Sequence, residues 1–592
     1  MPRTKRNKQQ QQNKERPDRT EAGVILPEFI EYYKTQLVPN SLTESEFEVF
    51  IETYKTTLPH VFRISPSSPD FDQIKQELES HIKTFKDNNY DAEIIDYFEP
   101  QHGIVCKISV SKPVLHKIPE LQPFREWLNS HTESGDITRQ EFVSMLPAFF
   151  LNAQPNDGVL DTCAAPGSKT SLILEQLIDG FVVANDSELM RCSTLIRQLK
   201  RFDNSKVLVI NHFGQQIPDI GPFDRVLCDV PCSGDGTFRK NSDASIRWTD
   251  RKGFGNHNQQ RSILIRGLQL LKVGGTCVYS TCSLNPIEDE AVINSVLNEL
   301  NGSVTVINCS EMFPKLKRSQ GLKTWKVILN GKVINEDDEI DENEQKRIKP
   351  TMYPKNVIEG IENCIRFYPH QNDTGGFFIA VLKKEKEFEI DPHQIQTKSL
   401  KQWKNPPFVS LDSFEAGKEI IPKIIESFGM TNDFDSTKLF TRSEQMNNIF
   451  YVRDDIAKII KKIPYTKLRA VSCGSRMFSI KTFKDKTAVT TFPCFESINL
   501  LFKFATKRIL ELSPEDIYKI LKGGNDGAKI SDLKSFEDNG ITSGGIMMTI
   551  KGTNFKYTAM KTNTNIIVQV NKERVQQEIV RILYKYPQLN NE

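Results

Sequence analysis

Phe223-Asp224-Arg225-Val226-Leu227-Cys228 and Gly275-Thr276-Cys277-Val278-Tyr279 decide how this chain folds. Each is a short apolar run, and each opens into a loop of small and turn-forming residues. The first continues as Asp229-Val230-Pro231-Cys232-Ser233-Gly234-Asp235-Gly236-Thr237, the second as Ser280-Thr281-Cys282-Ser283-Leu284-Asn285-Pro286. Between them residues 259–271 have helical spacing and lead to Gly274-Gly275. Strand, loop, helix, glycines, strand reads as a parallel α/β unit, in which function gathers at the carboxyl ends of the strands. Paired strands lie about 4.8 Å apart, so pairing of these two would bring Cys232 and Cys282 to one rim.

The same alternation begins upstream. Gly158-Val159-Leu160-Asp161 is a short strand that runs into Thr162-Cys163-Ala164-Ala165-Pro166-Gly167-Ser168-Lys169-Thr170. Small residues let a ligand approach the backbone, and the helix opening at Lys169 offers free amides and a positive dipole end. A nucleotide-triphosphate loop would need glycines at positions 163 and 168, where Cys163 and Ser168 stand, and no GxGxxG is present. The next strand, residues 180–185, ends at Asp186, where an acid can grip a ribose diol. A third, residues 206–210, leads to Asn211-His212-Phe213. An adenosyl ligand suits this series: polar end at the first helix, ribose on Asp186, adenine beyond.

The flanks are expected to be separate units. With 592 residues, 38% of them hydrophobic, the chain can bury several cores at roughly 150 residues per domain. The expected divisions are a basic tail (1–24), an N-terminal α/β RNA-binding module (25–118), the parallel core (119–384), a charged linker (385–403) and a C-terminal domain (404–592). The tail carries seven Lys/Arg against two acids over its first 19 residues. It reads as a solvated segment, and equally as a nuclear-import or RNA tether. Arg63, inside an alternating strand, is either a salt-bridged surface residue or a phosphate contact. Ser134 to Glu141 reads as a turn and helix cap around Thr138. Residues 324–329 read as a strand, and His370 as structural or at a substrate mouth. Lys458, Lys461, Lys462, Lys467 and Arg469 beside Tyr465 suit backbone phosphate, or form a solvated helix face.

A net charge of +2 rules out a whole-molecule polyanion field, so any nucleic-acid surface must be local. No signal peptide or long apolar span stands out, and the eleven cysteines form no regular framework, which points to a reducing compartment and no membrane. Cys228, Cys232, Cys277 and Cys282 have the wrong spacing for a zinc tetrad, so no metal is expected. Cys228 and Cys277, within strands, read as small core residues. Cys232 and Cys282, beyond the strand ends, do not.

At this point a resemblance becomes specific. DTCAAPGSKT (161–170), ANDSE (184–188), CDVPCSGDGTFRKN (228–241) and YSTCSLNPIEDEAV (279–292) are similar to the signature motifs of RNA (cytosine-5)-methyltransferases of the RsmB/Sun type. ESGDITRQEFVSMLP (133–147) and RFYPHQNDTGGFFIAVLKK (366–384) resemble the eukaryotic multisite tRNA branch. The resemblance implies a doubly wound Rossmann-like sheet followed by a C-terminal PUA-like α/β domain that binds RNA. It also implies S-adenosyl-L-methionine as cofactor, RNA, chiefly tRNA, as partner, a monomer, and a nuclear or nucleolar location. It assigns Cys282 as the nucleophile at cytosine C6, Cys232 to product release, and Asp229 to the ring N3 and to the cofactor. The cofactor loop is then Cys163, Ala164, Ala165, Pro166, Gly167, Ser168 and Lys169, with Asp186 on the ribose. Lys169 and Lys240 are the cations available to a thiolate. Where the family usually has an aspartate facing the adenine, this chain has Phe213, which should weaken cofactor binding by one hydrogen bond, about 0.5–1.5 kcal/mol. The competing reading is a non-catalytic RNA-binding scaffold on the same fold.

Overall fold

The computed structural model describes residues 24–591 other than 39, 69, 111–114, 116, 201, 203, 391–402, 483–488, 538, 539 and 571. The basic tail and most of the expected linker therefore lie outside the described residues.

A ten-stranded sheet organises the chain. Its strands, numbered in chain order, are β1 (Gly158–Asp161), β2 (Phe181–Asn185), β3 (Val207–Ile210), β4 (Phe223–Asp229), β5 (Leu271–Thr281), β6 (Val304–Val306), β7 (Ser319–Gln320), β8 (Ile365–Phe367), β9 (Phe377–Lys384) and β10 (Ala470–Cys473). Their order is β7-β8-β9-β5-β4-β1-β2-β3-β10, with β6 on the end of β9. β1 pairs in parallel with β2 and β4, β2 with β3, and β4 with β5. The rest of the sheet is antiparallel. Strands such as Val207-Leu208-Val209-Ile210 are buried throughout, as parallel strands covered on both faces must be. Helices α1 (Phe142–Leu151), α2 (Ser168–Gln176) and α3 (Leu189–Leu199) share one apolar core with one face. α4 (Lys252–Gln269) and α5 (Glu290–Glu299) cover the other. The doubly wound sheet is as expected.

The flanks differ from the expected units. The helices Pro27–Leu37 and Glu44–Tyr54 do not pack on an N-terminal sheet; they pack on the core. Phe29, Tyr32 and Tyr33 share a cluster with Phe238, Trp248, Leu284 and Tyr368. Tyrosine tips give the reason, because a buried hydroxyl needs a partner: Tyr32 donates to Asn285 at 2.9 Å and Tyr33 to Asp235. The N-terminal sheet is Ala92–Ile95, Ile104–Ile108, His60–Ile64 and Ile137–Arg139, in that order. Its fourth strand comes from beyond the expected boundary at 118. The predicted cap at Thr138 is thus part of a strand: Arg63 pairs with Thr138, and α1 starts after Glu141 without a side-chain cap. The alternating Ile137-Thr138-Arg139 fits an edge better than a turn.

Arg63 is neither exposed nor aimed at a ligand. It is buried in an ion pair with Glu175 of α2 and donates to the His102 carbonyl at 3.1 Å. Of the strand expected over 324–329, Ile328–Leu329 pairs with Lys332–Val333 in a small hairpin. Trp325 instead enters a cluster with Phe254, Ile287 and Met352, donating its indole N–H to the Met352 carbonyl at 2.7 Å.

Residues 404–592 hold two five-stranded sheets. The first runs Val409–Ser410, Leu439–Thr441, Asn448–Tyr451, Ser475–Thr482, Val489–Pro493. The second runs Ile509–Leu512, Gly544–Ile550, Lys556–Lys561, Asn565–Val568, Ala528–Lys529. The region is not appended to the core but woven into it, because β10 extends the central sheet beyond β3. At its far end the helix Lys572–Lys585 returns to the N-terminal module, where the Tyr584 and His131 rings meet at 5.1 Å. No helix among the described residues is long and apolar enough to cross a membrane.

Candidate active site

β4 and β5 set the site. Their register pairs Asp229 with Ser280, so the two cysteine loops leave the sheet side by side. Cys232 Sγ and Cys282 Sγ stand 3.3 Å apart, both half-buried. The hydrogen bond to Cys282, then burial, pushes the Cys232 thiol well above its usual range. Cys228 and Cys277 form a separate pair in the core, 3.9 Å apart and fully buried. The four sulfurs thus divide into two pairs. Among the described residues no cluster of His, Cys, Asp and Glu is arranged to hold a metal ion.

The cysteine loops are fastened by backbone and carboxylate. Gly236 donates to the Cys282 carbonyl at 3.0 Å and accepts from Gly376 at 2.8 Å. A Cβ on Gly236 would lie 2.2 Å from the Gly376 oxygen, so only glycine permits that closeness. Glu288, fully buried, joins the two loops directly. It accepts from the Ser233 amide at 2.9 Å, the Ser283 hydroxyl at 2.9 Å, Asn256 at 2.8 Å, Gln260 at 3.2 Å and the Ser233 hydroxyl. Burial, then the nearby Asp235 charge, raises its pKa. Beneath it Arg366, also fully buried, pairs with Glu290 and donates to the Leu284 carbonyl at 2.8 Å. Asp289 takes the Thr281 hydroxyl at 2.7 Å.

Asp229 faces the cysteines from the end of β4. Its Oδ1 accepts from Ser280 at 2.8 Å and its Oδ2 from Lys169 Nζ at 2.8 Å. Burial opposes the Lys169 charge, but the Asp229 carboxylate and then the Cys282 sulfur outweigh it and raise the ammonium pKa. Lys240 is elsewhere, exposed and 3.8 Å from Glu141. His370 stacks on Tyr368 and meets Phe50 edge-on, a packing position.

Residues 163–169 cross the top of β1. Ala164 donates to the Asn185 carbonyl at 2.7 Å, and Gly167, at φ +112°, caps α2. Asp186 is 2% exposed at the end of β2. It accepts from the Glu188 amide at 2.9 Å and lies 3.2 Å from the Arg191 guanidinium. Asp161, at the end of β1, uses Oδ2 to accept from Thr170 at 2.8 Å, while its buried Oδ1 has no partner. Burial pushes its pKa up to about 7. An orphaned acceptor at Asp161, the amides at the start of α2 and a carboxylate at Asp186 form one donor and acceptor series. It fits an amino acid joined to a nucleoside: ammonium, carboxylate and ribose diol in turn. Phe213 follows β3, half-buried beyond Asp186.

The structure therefore brings together Cys232, Cys282, Asp229 and Lys169, with the 163–169 loop and Asp186 on the adjoining strand ends. Asp161, Ser280, Glu288 and Arg366 were not singled out from the sequence. The one available signal was Glu288-Asp289-Glu290, three acids in a row beside a reactive loop.

Residues 148–383 match the family described as 16S rRNA methyltransferase RsmB/F, and residues 411–505 match the NSUN2 Pre-PUA domain. Among curated relatives, the multisite-specific tRNA:(cytosine-C(5))-methyltransferase trm4b of Schizosaccharomyces pombe is 37% identical over 64% of this chain and 62% of its own length. The multisite-specific tRNA:(cytosine-C(5))-methyltransferase of Saccharomyces cerevisiae is 37% identical over 60% of this chain and 54% of its own length. The tRNA (cytosine(34)-C(5))-methyltransferase of Drosophila melanogaster is 33% identical over 62% and 54%. The chain thus spans 54–62% of the length of these relatives. The crystal structure of NSun6 from Pyrococcus horikoshii with SFG superposes with a TM-score of 0.41 at 18% identity, over 61% of this chain and 99% of that one.

Proposed function

We propose that this chain methylates C5 of cytosine in tRNA, using Cys282 as a covalent nucleophile and S-adenosyl-L-methionine as methyl donor. The observation that carries this reading is the pair of thiols 3.3 Å apart on the strand ends that also hold the Lys169–Asp229 pair. Cytosine C5 is a poor nucleophile. Addition of the Cys282 thiolate at C6 opens the C5–C6 double bond and makes C5 an enamine carbon. Negative charge then moves toward N3, where Asp229 stands, with the Lys169 ammonium within one hydrogen bond of its carboxyl as proton source. The bound cofactor supplies an electrophilic methyl group on a sulfonium. Asp161, the α2 amides and Asp186 hold it by its ammonium, carboxylate and ribose. A water molecule takes the C5 proton, the C–H electrons re-form the C5–C6 double bond, the Cys282–C6 bond breaks, and N3 returns its proton to the Asp229–Lys169 pair as the Cys232 thiol donates to the departing sulfur.

The relatives named for tRNA (cytosine-C(5)) methylation support the base and the RNA class. The test is incubation of the purified chain with unmodified tRNA and S-adenosylmethionine, followed by bisulfite sequencing. New protected cytosines are expected. Binding of tRNA without any methyl transfer would overturn the proposal in favour of a scaffold.

A further inference from the structure

The adenine end of the cofactor site does not close with β3. β10 lies against it, with Ala470 paired to Ile210, so the residue before β10 reaches the loop that follows β3. That residue is Arg469. Its carbonyl accepts from the Asn211 amide at 3.0 Å, and its amide donates to His212 Nε2 at 3.1 Å. His212 is held neutral, since burial and then the Arg469 charge lower its pKa to about 4. Asn211 in turn donates its side-chain amide to the Asp186 carbonyl at 2.9 Å. One hydrogen-bonded series thus links the C-terminal region to the ribose acid.

The Arg469 side chain is poised rather than paired. Its guanidinium lies over the Trp403 ring at 5.0 Å. Its Nε and Nη1 are shielded from solvent and have no hydrogen-bond partner among the described residues. Shielded N–H donors without acceptors are costly to a fold, and a ligand that brings acceptors relieves that cost. A guanidinium has donors only. An aspartate in place of Phe213 would read the exocyclic amino group of adenine; an arginine reads acceptors, namely ring nitrogens or ribose oxygens.

We infer that Arg469, braced on Trp403, is a cofactor-binding residue supplied by the C-terminal region, and that it donates to the adenosyl group, to which the Phe213 side chain brings no carboxylate. This rests on the cofactor assignment above. It makes the C-terminal region part of the cofactor site.

Calorimetric titration of the full chain with S-adenosylhomocysteine tests it, with 5′-methylthioadenosine as a second probe that lacks the amino-acid end. Arg469→Ala should weaken both ligands by a similar factor, roughly tenfold for a lost charged hydrogen bond. Arg469→Lys should recover part of it. The unfolding temperature should change little, because losing the Trp403 contact is offset by removing two shielded donors that have no partner among the described residues. Asp161→Asn should weaken S-adenosylhomocysteine alone. Unchanged binding in Arg469→Ala, with Asp186→Ala weakened, would overturn this inference and leave the cofactor site standing. Unchanged binding in both, or none by the unmodified chain, would overturn the site itself.

Discussion

The sulfur of Cys232 stands 3.3 Å from the sulfur of Cys282, at sulfur–sulfur hydrogen-bonding distance, while Lys169 adds positive charge beside them. Two thiols so placed can divide the work, one adding to the base and the other donating to the sulfur that leaves. Cys282→Ala should therefore abolish both methyl transfer and any covalent protein–RNA species. Cys232→Ala should still form and methylate the adduct, then stall before release. Incubation with tRNA and cofactor followed by a denaturing gel distinguishes them: a shifted band is expected with Cys232→Ala alone. A band with Cys282→Ala alone would exchange the two roles.

Asp161 makes cofactor affinity depend on pH. Burial raises its pKa from 3.8 to about 7. With the folded value above the unfolded one, its contribution to stability is full below about pH 4 and fades as pH rises through about 7. Ligand binding has the opposite sign, since only the ionised carboxylate accepts from the ligand ammonium through the orphaned Oδ1. Affinity for S-adenosylhomocysteine should rise between pH 6 and 8, by close to tenfold for each unit below about pH 7, with release of a proton. Calorimetry in buffers of different ionisation enthalpy measures that release. A flat profile in the unmodified chain, matching Asp161→Asn, would remove the assignment.

Glu288 accepts five hydrogen bonds, three from Ser233 and Ser283 in the Cys232 and Cys282 loops and two from Asn256 and Gln260 of α4. Glu288→Gln places an amide N–H₂ where donors already point, so the loops must shift. Misplacing reacting atoms by about 1 Å costs on the order of 100-fold in rate. We expect kcat to fall by about that factor with S-adenosylhomocysteine affinity preserved, since the cofactor residues lie on other strand ends. Loss of both together, with a lower unfolding temperature, would mean a merely structural role.

Local pattern carried most of the core. The buried runs that became β1 and β4 each end in a loop of small and turn-forming residues, and that signal needs no tertiary context. Pairing of β4 with β5, and hence the meeting of Cys232 and Cys282, followed from one neighbour assumption. What was not legible depends on contacts across the chain. Glu288 looks like any acid at a helix start until Ser233, 55 residues away, is brought against it. Arg469 looked like part of a basic stretch, and only the β10–β3 pairing brings it to Asn211. The helices over 27–54 have ordinary apolar faces that do not say which surface they cover. Thr138 carried a cap signature, yet the edge of the His60–Ile64 strand claimed it, a tertiary override of local preference.

The fit of the N-terminal sheet on the core rests on Arg63 and Glu175, whose side chains are 2% and 3% exposed. Arg63 also donates to the His102 carbonyl at 3.1 Å, and its Nε has no hydrogen-bond partner. Removing one member of a buried pair strands the other charge, at about 3–5 kcal/mol, whereas replacing both by apolar groups of similar size is often neutral. Glu175→Ala should therefore lower the first thermal transition markedly. Arg63→Met combined with Glu175→Leu should restore most of it, short of what His102 loses. Differential scanning calorimetry of the three forms decides the matter. A double variant as unstable as Glu175→Ala would mean that specific polar contacts, and not the stranded charge, hold this interface.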